Sequence, residues 1–230
     1  MRKIGLIGGM SWESSALYYS LINEGIKAEL GGLHSARCVL SSVDFAEIEA
    51  MQAQGRWDES GELLAAEARG LQAAGADCVL LCTNTMHKVA DQISEAIDIP
   101  LIHLADVAAN AVRAAGLETV GLLGTRFTME EDFYSDRLHT AGLTVLTPDA
   151  ADRAEVDRVI YSELVLGEIR EESRKAYQQI VERLVARGAE GIILGCTEIE
   201  LLLRPADAPV PLFATTALHA QAAVDFALHQ

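Results

Sequence analysis

The chain has 230 residues, of which 50% are hydrophobic and 23% charged; that supplies apolar material for one large core or two small ones and excludes a disordered, collagen-like or coiled-coil architecture. Eighteen basic residues stand against 34 acidic ones, a net charge of −16, so nucleic acid and anionic membrane surfaces are excluded as partners, since phosphate binding needs a basic face. An anionic small molecule would need local donors working against that field.

Met1-Arg2-Lys3 followed by an apolar run superficially resembles a leader, but the run carries glycines and meets Glu13 at once, so it reads as a first strand, Lys3–Ile7. Ser14–Leu30 reads as a helix, Cys38–Ser42 as a strand, and Gly61–Ala74 as an alanine-rich helix stopped by Gly75. Val79–Leu81 is a buried strand, followed by Cys82-Thr83-Asn84-Thr85 and a helix to Ile97. Leu101–His103 and Val120–Leu123 are strands, with a helix over Asp106–Ala115 between them. Thr128 to Glu131 fits a capping box that opens the next helix. Helices over Asp152–Leu166 and Glu172–Arg187, a strand at Ile192–Leu194, a short run at Leu212-Phe213 and a helix from Thr215 complete the chain. Short apolar strands alternating with helices predict an α/β fold with parallel sheets. The stretch Ala208–Val224 is too short and too polar to span a bilayer. Four cysteines in a chain of this length make no disulfide scaffold, and a cytoplasmic location with reduced thiols is expected.

The sequence also repeats itself. Ile4–Gly8 aligns on Val120–Gly124, Gly75–Thr85 aligns without gaps on Gly188–Glu198, and Pro100–Ile102 aligns on Pro211–Phe213, at offsets of 116, 113 and 111 and in the same order. This predicts two related α/β halves, each a parallel sheet of about four strands flanked by helices: residues 1–103 plus 212–230, and residues 104–211. Ligands of open parallel sheets bind at the carboxyl ends of strands. Gly8–Ser14, Cys82–Thr85, Gly124–Thr128 and Gly195–Glu198 occupy those ends, and a site in the cleft between the halves, with Thr83 opposite Cys196, is expected.

Cys196 follows an apolar strand, where backbone N–H groups and a helix start can lower a thiol pKa; a structural cysteine is the plainer alternative. Cys82 is its partner by residue type, yet the ungapped repeat sets Thr83 against Cys196, and strand alternation turns Cys82 to the other face with Cys78, as core. Gly5-Leu6-Ile7-Gly8-Gly9 matches no nucleotide loop, but its turn offers backbone N–H groups to a carboxylate. His87 reads either as an orienting residue or as a satisfied buried histidine, His103 and His219 carry weaker signals, and Trp12 and Trp57 read as packing or lid residues. No metal-ligand spacing and no lysine motif for a Schiff base is found among four lysines.

Ile4-Gly5-Leu6-Ile7-Gly8-Gly9-Met10-Ser11, Leu81-Cys82-Thr83-Asn84-Thr85-Met86-His87 and Leu194-Gly195-Cys196-Thr197-Glu198 together resemble the aspartate/glutamate racemase family, over essentially the whole chain. The Cys-Thr-Asn-Thr-Met-His form is similar to its L-aspartate/glutamate-specific and broad-specificity amino-acid racemases. The resemblance implies two α/β domains related by a pseudo-dyad, commonly in a homodimer, and cofactor-free racemisation by Thr83 and Cys196 on opposite faces of the substrate α-carbon. Most relatives use two cysteines, so threonine at position 83 is a departure. It also implies substrate contacts from Met10, Gln52, Asn84, Thr85, Thr125, Thr197 and Glu198, with no cofactor and no metal. Some relatives read the side-chain carboxylate with an arginine and a lysine; no lysine lies around Tyr161–Gly167. The same scaffold also serves hydantoin racemases, maleate isomerases and arylmalonate decarboxylases, and a non-catalytic amino-acid-binding protein is the alternative from another class.

Overall fold

The computed structural model describes residues 1–229. The chain divides into two compact units, Met1–Leu104 with the segment from His219 on, and Ala105–Leu218. In chain order the elements are β1 (Ile4–Gly8), α1 (Trp12–Leu30), β2 (Cys38–Ser42), α2 (Phe45–Ala53), α3 (Trp57–Ala73), β3 (Cys78–Leu81), α4 (Ala90–Glu95), β4 (Leu101–Ile102) and α5 (Leu104–Ala114). They continue as β5 (Thr119–Gly124), α6 (Arg126–Glu130), α7 (Asp132–Thr140), β6 (Thr144–Leu146), α8 (Ala150–Ser162), α9 (Glu171–Ala186), β7 (Gly191–Gly195), α10 (Ile199–Leu202), β8 (Leu212–Ala214) and α11 (Thr215–Leu228). Tight 3₁₀ turns occupy Thr85–Val89, Leu164–Leu166 and Pro205–Asp207.

Each unit carries one parallel four-stranded sheet, ordered β2-β1-β3-β4 and β6-β5-β7-β8. The registers agree with the sequence repeat. Ile4 pairs with Cys78 as Val120 pairs with Gly191, and Val79 pairs with Leu101 as Ile192 pairs with Leu212. Because β8 pairs with β7, residues 212–218 belong with the second unit's sheet, whereas the sequence expectation grouped them with the first half.

Strand alternation sorts the first unit's core. Ile4, Leu6, Cys78, Leu80 and Cys82 pack on one face against Tyr18, Ile22 and Ile26 of α1 and Ala220, Ala223 and Val224 of α11. Ile7, Val79 and Leu81 face Ile48 of α2 and Leu64, Ala68 and Leu71 of α3. In the second unit Ile192, Leu194 and Cys196 share a face with Val156, Val159 and Ile160 of α8 and Tyr177, Ile180 and Leu184 of α9. Leu81 and Leu194, equivalent in the repeat, thus lie on equivalent faces.

One expected helix start moved, and some elements were not expected. The helix after β5 is capped by Thr125, whose Oγ1 accepts from the Thr128 N–H, while Glu131 stands at the start of the separate helix α7 without a side-chain cap bond; Thr128, expected to open the helix, is therefore interior to α6. Helix α2, capped by Asp44 through the Ala46 N–H, was not expected, nor was the three-residue strand β6. No helix among the described residues is long and apolar enough to cross a membrane.

His219, fully buried on α11, sits at the centre of the first unit. Its Nε2 lies 2.7 Å from the Ile102 carbonyl and its Nδ1 2.9 Å from the Tyr18 hydroxyl, so Nε2 carries the proton and Nδ1 accepts. Burial pushes its pKa down to about 4, opposed by the Ile102 carbonyl. A folded-state pKa below the unfolded value of 6.5 means the unfolded chain binds the proton more readily. The stability this histidine confers is whole above pH 6.5 and drains away as pH falls toward 4. Urea unfolding from pH 7 to 4 should show wild type losing about 3 kcal/mol more than His219→Gln; parallel curves would contradict the assignment.

Candidate functional site

The carboxyl ends of the central strands gather the candidate residues in each unit. In the first unit β1 and β3 pair through Ile7 and Leu81, which sets the Gly8–Ser11 turn beside the Cys82–Asn84 loop. Ser14 Oγ donates to the Cys82 carbonyl at 3.2 Å and ties the two together. Gly9 takes φ 93°, and a Cβ there would lie 2.1 Å from the Val43 carbonyl oxygen, so only glycine fits. Its N–H donates to Ser15 Oγ at 2.7 Å, and Ser15 in turn donates to the Ser11 carbonyl. The expectation that this turn offers N–H groups to a carboxylate is corrected at Gly9: that donor is already spent inside the protein.

Met10 is buried among Ile48, Leu81 and Met86. Gln52, on the unexpected helix α2, is buried and donates through Nε2 to Met86 Sδ at 2.9 Å. Thr83 is half-buried; its N–H donates to the Leu81 carbonyl at 2.8 Å, and its own carbonyl lies 2.8 Å from His87 Nδ1. Asn84 and Thr85 are buried at the mouth of the following 3₁₀ turn. Cys82 is fully buried on the opposite face of β3, where burial drives its thiol far above the ordinary range, and burial pushes Cys78 up to about 12. Both are core.

In the second unit Gly124 pairs with Gly195, so Thr125 and Cys196 leave adjacent strands side by side. A Cβ on Gly124 would lie 2.9 Å from the Gly195 carbonyl oxygen, and one on Gly195 2.9 Å from that of Leu123. Thr125 is buried and engaged in capping α6, while Thr197 is buried directly after Cys196. Cys196, 8% exposed, donates its thiol hydrogen to Glu198 Oε2 at 3.0 Å. Burial, then the Glu198 charge and that hydrogen bond, hold the thiol well above its ordinary pKa; the backbone N–H groups of Glu198 and Ile199 oppose them. The expected lowering by backbone dipoles is present but outweighed, since α10 has only four residues and a carboxylate lies against the sulfur.

Sequence reasoning missed Glu200, whose Oε1 accepts from the Thr216 N–H at 2.9 Å, while Thr215 Oγ1 donates to the Leu194 carbonyl at 2.8 Å. These bonds stitch the start of α11 to the end of β7. Burial raises the Glu200 carboxyl to about 7. Sequence reasoning also missed Ser15, and had Ser14 only as the end of the Gly8–Ser14 segment, without its bond to the Cys82 carbonyl. Among the described residues no group of three or more His, Cys, Asp or Glu side chains is arranged to hold a metal ion.

Residues 7–223 match the Asp/Glu/hydantoin racemase family model. A crystal structure of a candidate Asp/Glu racemase from Yersinia pestis is similar, at 54% identity and a TM-score of 0.95 over 100% of both chains. An aspartate racemase homologue from Pyrococcus horikoshii OT3 follows at 30% identity and a TM-score of 0.88, again over 100% of both chains. A broad-specificity amino-acid racemase of Bacillus subtilis is 23% identical over 167 residues, 73% of this chain and 72% of its own.

The thiol chemistry is directly measurable. Removing the Glu198 charge should lower the Cys196 pKa, so Glu198→Gln should raise alkylation of Cys196 by iodoacetamide at pH 8 by roughly tenfold, read by peptide mass spectrometry. An unchanged or slower rate would show that the carboxylate does not govern the sulfur.

Proposed function

Since the chain belongs to the Asp/Glu/hydantoin racemase family, we propose that it is a cofactor-independent amino-acid racemase using Thr83 and Cys196 as its two acid/base groups, with aspartate and glutamate the first substrates to test. The observation that carries this reading is the Cys196–Glu198 contact: a buried thiol at a strand end, donating its hydrogen to a carboxylate.

The proton balance is as follows. Cys196 passes its thiol proton to Glu198, and the thiolate is compensated by the substrate ammonium and by the N–H groups of Glu198 and Ile199. A thiol held at high pKa yields a scarce but strong base, which suits a weakly acidic α-carbon. The thiolate removes the α-proton of the L enantiomer. Charge moves onto the substrate carboxylate, where Asn84, Thr85 and Thr197 supply donors. Thr83 gives its hydroxyl proton to the opposite face and recovers one from solvent, while Glu198 releases the proton it took. One hydrogen is exchanged with solvent and the configuration inverts. In reverse Thr83 must act as base, which is harder for an alcohol than for a thiol. The Haldane relation still equates kcat/KM in the two directions, so the asymmetry resides in kcat and KM taken separately.

Proton NMR in D2O with L-glutamate, L-aspartate and neutral amino acids tests the proposal. Wild type without added pyridoxal phosphate should racemise at least one of them, and Cys196→Ala should abolish both α-exchange and inversion. Thr83→Ala should deuterate the L substrate slowly without forming D product, and Cys82→Ala should cost little beyond packing. An active Cys196→Ala, or a Thr83→Ala that racemises at the wild-type rate, would refute the assignment.

A further inference from the structure

We propose that His87 is the positioning residue for Thr83, an inference that rests on the two-base reading above. His87 is 3% exposed, in the 3₁₀ turn that follows the Thr83 loop. Its Nδ1 lies 2.8 Å from the Thr83 carbonyl, and its Nε2 accepts from the Leu104 N–H at 3.2 Å. A carbonyl can only accept and a backbone N–H can only donate, so the ring carries its proton on Nδ1 and is a neutral, single tautomer.

Both nitrogens are thereby committed to backbone, which suits the imidazole to holding the loop rather than relaying protons. The Thr83 N–H is fixed by the Leu81 carbonyl and the Thr83 C=O by His87, so the peptide groups on both sides of this residue are set, and with them the Cα–Cβ direction that aims the hydroxyl. The Leu104 bond anchors the ring to the first residue after β4 and His103. Neighbouring rings hold its plane: His103 lies 4.5 Å away at 65° and His219 5.9 Å away at 62°, the latter pinned by Tyr18 and Ile102. An acid that must reach one face of a carbon tolerates little displacement, and a shift of about 1 Å can cost roughly 10²-fold.

The test uses full-length wild type, His87→Ala and His87→Asn, whose amide can replace the Nδ1–H donor but not the Nε2 acceptor. Exchange and inversion of L-glutamate are measured separately in D2O. The proposal expects His87→Ala to lose inversion by at least about tenfold while α-deuteration by Cys196 stays within about threefold, and His87→Asn to restore the ratio to within about twofold of wild type. A fall in both rates with an unchanged ratio, or an asparagine no better than alanine, overturns it. Two readouts are independent of turnover and so separate this failure from failure of the racemase reading. In ¹⁵N spectra of wild type His87 should be the Nδ1–H tautomer; the Nε2–H tautomer or a charged ring would overturn the proposal even if His87→Ala does not fold. The Thr83 and Asn84 amide resonances should shift in His87→Ala and return in His87→Asn.

Discussion

The close approach of paired strands at their carboxyl ends is the constraint on which each candidate site depends. Where Gly124 meets Gly195, a single methyl on either residue would press to 2.9 Å from a backbone carbonyl oxygen. Interior packing has no slack for that contact. The absence of side chains lets the two strands end level, and so puts Thr125 beside Cys196. In the first unit the same work is shared between Gly9, which only a glycine can occupy, and the serine relay that consumes its N–H. The strand ends then carry short loops, in which the Thr83 backbone is held by Leu81 and His87 and the Cys196 thiol by Glu198.

Within those loops the electrostatics runs opposite to a simple helix-dipole argument. Two backbone N–H groups favour the Cys196 thiolate, but burial and the Glu198 carboxylate disfavour it more. Cys196 is therefore held as a thiol with the Glu198 carboxylate in contact. The Thr83 side of the proposed pair is organised by geometry instead of charge: both of its backbone polar groups are occupied, one by a strand carbonyl and one by an imidazole.

Much of this was legible in the chain because buried parallel strands leave an ungapped apolar signature. The blocks Ile4–Gly8 and Val120–Gly124, and Cys78–Leu81 and Gly191–Leu194, aligned by residue type and pair in the same registers. Strand alternation also placed Cys82 in the core. Helix α2 escaped because Glu47, Glu49, Met51 and Gln52 blur its apolar period, although Asp44 at its cap was a usable start signal. Strand β6 is too short to show a period. The Thr128 box failed because Thr125, three residues earlier, competes for the same backbone donor and wins. The thiol shift was illegible because Glu198 stands two residues from Cys196 whichever way its side chain turns, and only the fold aims it back at the sulfur. His87 stayed undecided between orienting and buried roles because its two partners, Thr83 and Leu104, lie on either side of it, the second 17 residues away.

The central claim is that two different groups, on opposite faces of the substrate, handle the α-hydrogen. The most direct measurement is the isotope content of both enantiomers at early times, after wild-type protein and L-glutamate or L-aspartate are mixed in D2O and the enantiomers are separated for mass spectrometry. The two-base account predicts that D product carries one α-deuterium from its first appearance while the remaining L substrate is still largely protiated. Early D product that retains the substrate's own α-hydrogen would contradict it, because one group would then have carried the proton from one face to the other.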